Sequence, residues 1–263
     1  MQHILIIGAA TVLFLCVIAI GAHLLRGRVR LANRLLLILG VFVLAVKVIQ
    51  YIYYAAIGQP KIPAEFSTLT CVAFALVIFC DKKKVAYPFV TYAAFMSGLI
   101  FNLMLFIGQD TFIEARPSEL WLLLNVFVHD ALFLGSIIMM GNFKLSIKTS
   151  WQIVICVVVF VGWAFIAQYA LKVEDTIYTV NIFNGTLFDN VFAKDYPGLT
   201  EKSAYLPVYI VCLVVCLALS YVVLFMLNQL IYKHDHSIEN EYYLVTSLVF
   251  IDSPPCQDNI RFQ

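Results

Sequence analysis

The 263 residues are 62% hydrophobic and 13% charged, with a formal net charge of +1 and a mean hydropathy of +0.91. Soluble domains run at about half apolar residues, so this composition excludes an ordinary soluble globular protein and points to a chain embedded in a membrane. A balance so close to neutral gives no sign of a nucleic-acid partner.

A hydrocarbon core of roughly 30 Å is crossed by about 20 apolar residues in a helix. Seven stretches meet or approach that length, at 4–25, 35–57, 63–79, 86–107, 120–140, 151–171 and 206–232. Barrel-like alternation is absent and backbone groups in lipid must bond internally, so each is expected to be a helix. The first is too long for a signal-peptide core, lacks a small-residue cleavage site and carries its basic residues behind it, so it is expected to remain. The second places Lys47, Gln50, Tyr51 and Tyr54 at i, i+3, i+4 and i+7, on one face. The third opens on KIPAEFSTLTC, residues 61–71, with Pro63 and Glu65 at its mouth and Ser67, Thr68 and Cys71 spaced for one face. The fourth holds Asn102; the fifth holds Asn125 and His129 at i and i+4; the sixth holds Gln168. Asp130 follows His129 directly, which turns it about 100° away around the helix.

The loop at 173–205 is long enough to be a lid or binding loop. Its alternation at 176–183, followed by Asn184 and Gly185, suggests a small hairpin, and Asn184, Gly185 and Thr186 form a glycosylation sequon. The seventh span has no buried lysine, which argues against a retinal Schiff base. In the tail, 233–263, the run YYLVTSLVFI is too short to span and suits a position along the bilayer surface. His234, Asp235 and His236 alternate on that tail and make a poor metal cage; no metal or other cofactor is expected. Seven cysteines at scattered spacing form no disulfide framework, and those inside spans read as packing residues.

The loops after spans one, three and five, with the tail, hold eleven Lys and Arg, against five on the opposite side. The positive-inside rule then sets the amino terminus outside and the carboxyl terminus in the cytoplasm. The expected architecture is an all-α bundle of seven transmembrane helices over 1–232, followed by a cytoplasmic tail; the sequence names no oligomeric state.

Ionisable groups inside a span cost from about 2.5 kcal/mol upward and are functional candidates with a partner to be named. Lys47 and His129 each fall roughly 15 Å below the outer ends of their spans, with Glu65 and Ser67 shallower and Asn102 in the same half. The polar faces are therefore expected to converge on an outward-opening, water-filled pocket. Plainer readings stand beside this one. Lys47 can snorkel or pair structurally, Ser67, Thr68 and Thr70 can bond to the preceding turn, and Cys71 can simply pack. A carrier, channel or small-ligand sensor would use Lys47, Glu65 and His129 as a site for a polar solute or proton.

The chain also resembles the YwaF-like integral membrane family and its eukaryotic transmembrane acyltransferase relatives. The likeness rests on Lys47, Gln50 and Tyr51, on IPAEFSTLT, on YPFVTYAAFMSGLIFNLM, on the histidine of NVFVHDALFLG and on LPVYIV, within residues 1–232. The resemblance implies a bundle of six or seven helices, membrane lipids as partners and acyl transfer between phospholipids through a cysteine thioester assisted by a histidine. His129 matches the family histidine. At the nucleophile the chain departs from the pattern: Ser67 stands where the cysteine is expected, and Cys71 lies one turn deeper on the same face. Either the reaction is lost in this chain, or one of the two attacks an acyl ester, with His129 as base, Lys47 stabilising the oxyanion, and Gln50, Tyr51, Glu65, Asn102 and Asn125 lining the substrate site.

Overall fold

A computed structural model describes residues 9, 12–14, 16–18, 20–21, 28–81, 84–107, 119–171, 211 and 214–232. The expected hairpin at 176–185, the Asn184 sequon, the tail with His234 and His236, and the Gln168 side chain lie outside the described residues. What is described contains helices and no strand. They are α1 (helical residues within 9–21), α2 (Val29–Ala56), α3 (Phe66–Cys80), α4 (Tyr87–Ile107), α5 (Glu119–Met140), α6 (Ile147–Tyr169) and α7 (Val214–Tyr232).

Among the described residues four stretches, Arg30–Ala56, Leu120–Met140, Ile147–Ala167 and Val214–Tyr232, are long and apolar enough to cross a membrane. The third expected span falls short for a local reason. Pro60 and Pro63 have no N–H to donate, and the residue before a proline is pushed out of the helical region. The latter restriction falls on Gln59 and Ile62; Glu65 is the extended N-cap, at φ −73° and ψ 144°, and α3 begins only at Phe66, 15 residues long. That is about 22 Å of helix, so the KIPAE segment covers one end of the bundle as irregular chain. α2 stops where Gly58, at φ +74°, takes the left-handed conformation open to glycine. α6 starts with a capping box between Ser146 and Thr149, which satisfies N-terminal N–H groups otherwise left open.

α2 packs on α3, α3 on α4, α4 on α5, and α5 returns to α2, closing a ring of four helices. Its interior is filled by Leu36 and Val43, Cys71 and Phe74, Val90 and Ala94, and Val128, Leu132 and Ile138. Where two helices come closest, side chains are removed. A Cβ on Gly98 would lie 2.6 Å from the Phe133 Cβ and 2.8 Å from the His129 carbonyl, and Gly135 sits directly against the Phe74 ring. α6 lies outside the ring against α4 and α3.

α7 is tied on by polar contacts at two levels. Tyr92 shares a hydrogen bond with Ser220 at 3.1 Å. The fully buried Asn228 amide accepts from the Leu145 N–H at 2.7 Å and donates to the Met140 and Phe143 carbonyls at 3.1 and 3.0 Å. The chain between α5 and α6 cannot pair these backbone groups within a helix, so the side chain does so.

The outer surface of the bundle is apolar, and several polar side chains lie within it. Leu37, Ile38, Ile49 and Ile52 of α2, Val154, Val158 and Ile166 of α6, and Leu219, Met226 and Leu230 of α7 face outward. Lys47, Thr91, Ser97, Asn102, Asn125, His129, Asp130 and Asn228 are buried. An apolar exterior around polar interior contacts fits a membrane protein.

Candidate functional site

One end of the ring gathers the carboxyl ends of α2 and α4 with the amino ends of α3 and α5. On α2, Lys47 lies nine residues before the helix end at Ala56, roughly 14 Å down. It is 6% exposed, and its Nζ donates to Gln50 Oε1 at 3.0 Å; the i, i+3 spacing makes that contact within one face. Among the described residues no carboxylate lies within ion-pair distance of Lys47.

Across from it on α3, Cys71 is fully buried, and both Lys47 and Glu65 are within electrostatic reach of its thiol. Ser67, one turn nearer the mouth, donates to Glu65 Oε2 at 3.4 Å, long for an O–H···O bond. Thr70 instead back-bonds to the Phe66 carbonyl at 2.7 Å, the structural role open to a helical hydroxyl. Lys47 and Gln50 are thus paired along α2 and Glu65 and Ser67 at the start of α3, with the Cys71 thiol in electrostatic reach of Lys47 and Glu65.

His129 occupies the α5 side of the ring. Its Nδ1 lies 2.7 Å from the Asn125 carbonyl; a carbonyl only accepts, so Nδ1 carries a proton, and in the neutral ring the lone pair is on Nε2. The imidazole stacks on Phe101 of α4 with centroids 3.8 Å apart and planes 9° apart. Asn125 spends its amide N–H on the Trp121 carbonyl at 2.8 Å. Asn102 turns away from Lys47: its Nδ2 donates to the Gly98 carbonyl at 2.9 Å and to Asp130 Oδ1 at 3.1 Å. The sequence places Asn102 at the right depth but cannot say which neighbouring helix it meets.

Above this layer lies an aromatic cap that polar-residue spacing does not reveal. Trp121 of α5 packs on Tyr53 and Tyr54 of α2, at centroid distances of 5.1 and 6.4 Å. Lys61 sits over the Tyr54 ring at 4.4 Å, and Trp163 Nε1 of α6 donates to the Pro63 carbonyl at 2.9 Å, holding the irregular segment down. The available signal is the tendency of Trp and Tyr to collect at span ends. Tyr51 is half-buried on the same helix as Lys47.

Chemically, the site offers a buried amine with a neutral amide beside it, a carboxylate–hydroxyl pair at the mouth, a sealed thiol and an oriented imidazole. Comparison with protein-family models, with curated proteins and with solved structures finds no match for this chain.

Proposed function

We propose that the chain is a multi-pass membrane protein of seven spans, amino terminus outside, which binds the anionic group of a small molecule or lipid at Lys47. The observation that carries this reading is the buried Lys47 amine, bonded to Gln50 and with no carboxylate in ion-pair range among the described residues. Buried cations are normally paired. A carboxylate or phosphate oxygen from a ligand supplies the missing charge through a short, charge-assisted hydrogen bond. Gln50 holds Nζ from one side, and the Tyr54–Trp121 cap covers the approach. A carrier or ligand sensor needs such a site and no nucleophile. Uptake or binding of labelled carboxylates by reconstituted protein tests it: loss in Lys47→Met with retention in Ser67→Ala is expected, and the reverse pattern contradicts it.

The orientation carries its own test. Cys80 ends α3 at the basic end of the bundle and is exposed. In a variant whose one remaining cysteine is Cys80, an impermeant maleimide is expected to label inside-out vesicles and spare right-side-out ones. Labelling only from the outside inverts the topology.

A second reading, transfer of an acyl chain between lipids as in the transmembrane acyltransferases that the sequence resembles, is favoured by one arrangement. The Ser67 hydroxyl already points to the Glu65 carboxylate, and the Cys71 thiol has Lys47 nearby. Ser67 or Cys71 would attack the ester carbonyl of a phospholipid, its proton passing to His129 and from there to the departing lysophospholipid oxygen as the acyl C–O bond breaks, and the acyl group would then move to the hydroxyl of a second lysophospholipid. The complete burial of Cys71 ranks this reading below ligand binding, since a nucleophile must meet its ester. Intact mass spectrometry after incubation with phospholipid vesicles separates the two. An unmodified chain is expected, and an acyl adduct lost in the Ser67→Ala, Cys71→Ala double variant would establish transfer instead.

A further inference from the structure

Asp130 is the carboxylate in the middle of α5 that the Lys47 cluster does not use. It is 2% exposed. Oδ1 accepts from Asn102 at 3.1 Å, while Oδ2 is buried with no hydrogen-bond partner among the described residues. Val126, Asp130, Phe133 and Leu134 recur at i, i+4, i+7 and i+8, one stripe of the helix. α1 packs along that stripe: Leu13 against the cluster of Val126 and Phe101, Phe14 against Phe133, and Leu134 where a Cβ on Gly21 would be. Asp130 therefore sits on the α1-facing side of α5.

Among the described residues, the groups around it carry no compensating charge. α4 contributes the neutral amide of Asn102, and the described residues of α1 that pack along the stripe are Leu13, Phe14 and Gly21. On α5 itself the adjacent titratable group is His129, turned onto Phe101. From α7, the titratable Tyr221 shares a hydrogen bond with Ser150 of α6, and Tyr92 of α4 is engaged with Ser220.

We propose that Asp130, held by Asn102, is a proton-binding site of this protein, distinct from the Lys47 cluster. An ionised carboxylate at this depth costs from about 2.5 kcal/mol upward; a proton on Oδ2 removes the charge while Oδ1 keeps its bond from Asn102. The site is coupled to His129 by geometry. Residues 101 and 102 of α4 meet residues 129 and 130 of α5 in two consecutive pairs, the Phe101–His129 stack and the Asn102–Asp130 bond. Gly98, one turn before Asn102, lets the two helices touch at backbone distance. Binding or release of the proton changes the bond that fixes Asn102, and so the position of Phe101 under the His129 ring. Through that pairing a proton taken up at Asp130 acts on His129.

Infrared difference spectra of the full-length protein in lipid nanodiscs, acid minus alkaline, test this directly. Wild type is expected to show the carbonyl stretch of a protonated carboxylic acid, and Asp130→Asn to lose it. Asn102→Leu, which leaves the carboxyl in place without its amide donor, is expected to keep the band at a shifted frequency and a shifted pH midpoint. A band that persists unchanged in Asp130→Asn, or no such band in wild type, overturns the proposal. Should Asp130→Asn fail to fold, Asn102→Leu decides: frequency and midpoint identical to wild type overturn it.

Discussion

Lys47→Met is expected to leave the fold intact, with stability unchanged or raised, and to weaken binding of an anionic ligand by about a hundredfold or more. The substitution keeps the length and apolar stem of the side chain. It removes one hydrogen bond, to Gln50 at 3.0 Å, worth about 1 kcal/mol net, and with it a buried charge whose desolvation costs at least about 2.5 kcal/mol in a span. An apolar residue of similar volume in place of a buried charge is commonly neutral or stabilising. The ligand loses its one cationic partner, and truncating one side of a buried charge pair costs about 2–5 kcal/mol. Thermal unfolding in detergent, with and without inorganic phosphate or dodecanoate, reads both effects. Wild type is expected to be stabilised by at least one of these anions and Lys47→Met by neither. A variant that unfolds well below wild type without ligand would make Lys47 a structural residue and remove the basis of the binding site.

The second large effect is expected at Gly98. An added Cβ there meets the Phe133 Cβ at 2.6 Å and the His129 carbonyl at 2.8 Å. Neither neighbour is the free end of a flexible side chain, so α4 and α5 must separate. Overpacking of this kind costs about 1–3 kcal/mol, and the separation also loosens the Phe101–His129 stack and the Asn102–Asp130 bond. Gly98→Ala is therefore expected to lower the unfolding temperature and, with it, ligand binding. Gly162 on α6 is the internal control: a Cβ there meets nothing within 4 Å, and Ala is the better helix former by about 1 kcal/mol. Gly162→Ala should be neutral or stabilising. Equal behaviour of the two variants in thermal unfolding would contradict the close α4–α5 contact.

Contacts along a single helix were legible before any coordinates. Lys47 with Gln50 and His129 with Asn125 follow from spacings of three and four residues, although His129 meets the Asn125 backbone and not its side chain. The 100° step likewise separates Asp130 from His129. Contacts between helices were not legible: nothing in the order of the spans says that α5 closes back onto α2, or that Asn102 spends its amide on Asp130. Span boundaries failed where local chemistry overrides hydropathy. Apolar count starts the third span at Pro63, but 60–65, which holds both prolines, is irregular chain and α3 begins only after the N-cap Glu65. α2 runs further than its apolar stretch, back to Val29, because arginine is a good helix former whose long stem can lie along apolar surface.

The central claim, an anion held by Lys47 inside the ring, is tested most directly by anomalous diffraction from crystals of the full-length protein soaked in bromide. A peak within hydrogen-bonding distance of Lys47 Nζ in wild type, absent in Lys47→Met, is the result expected. A wild-type map in which a carboxylate of the chain itself occupies that position, with no bromide beside Nζ, would contradict it.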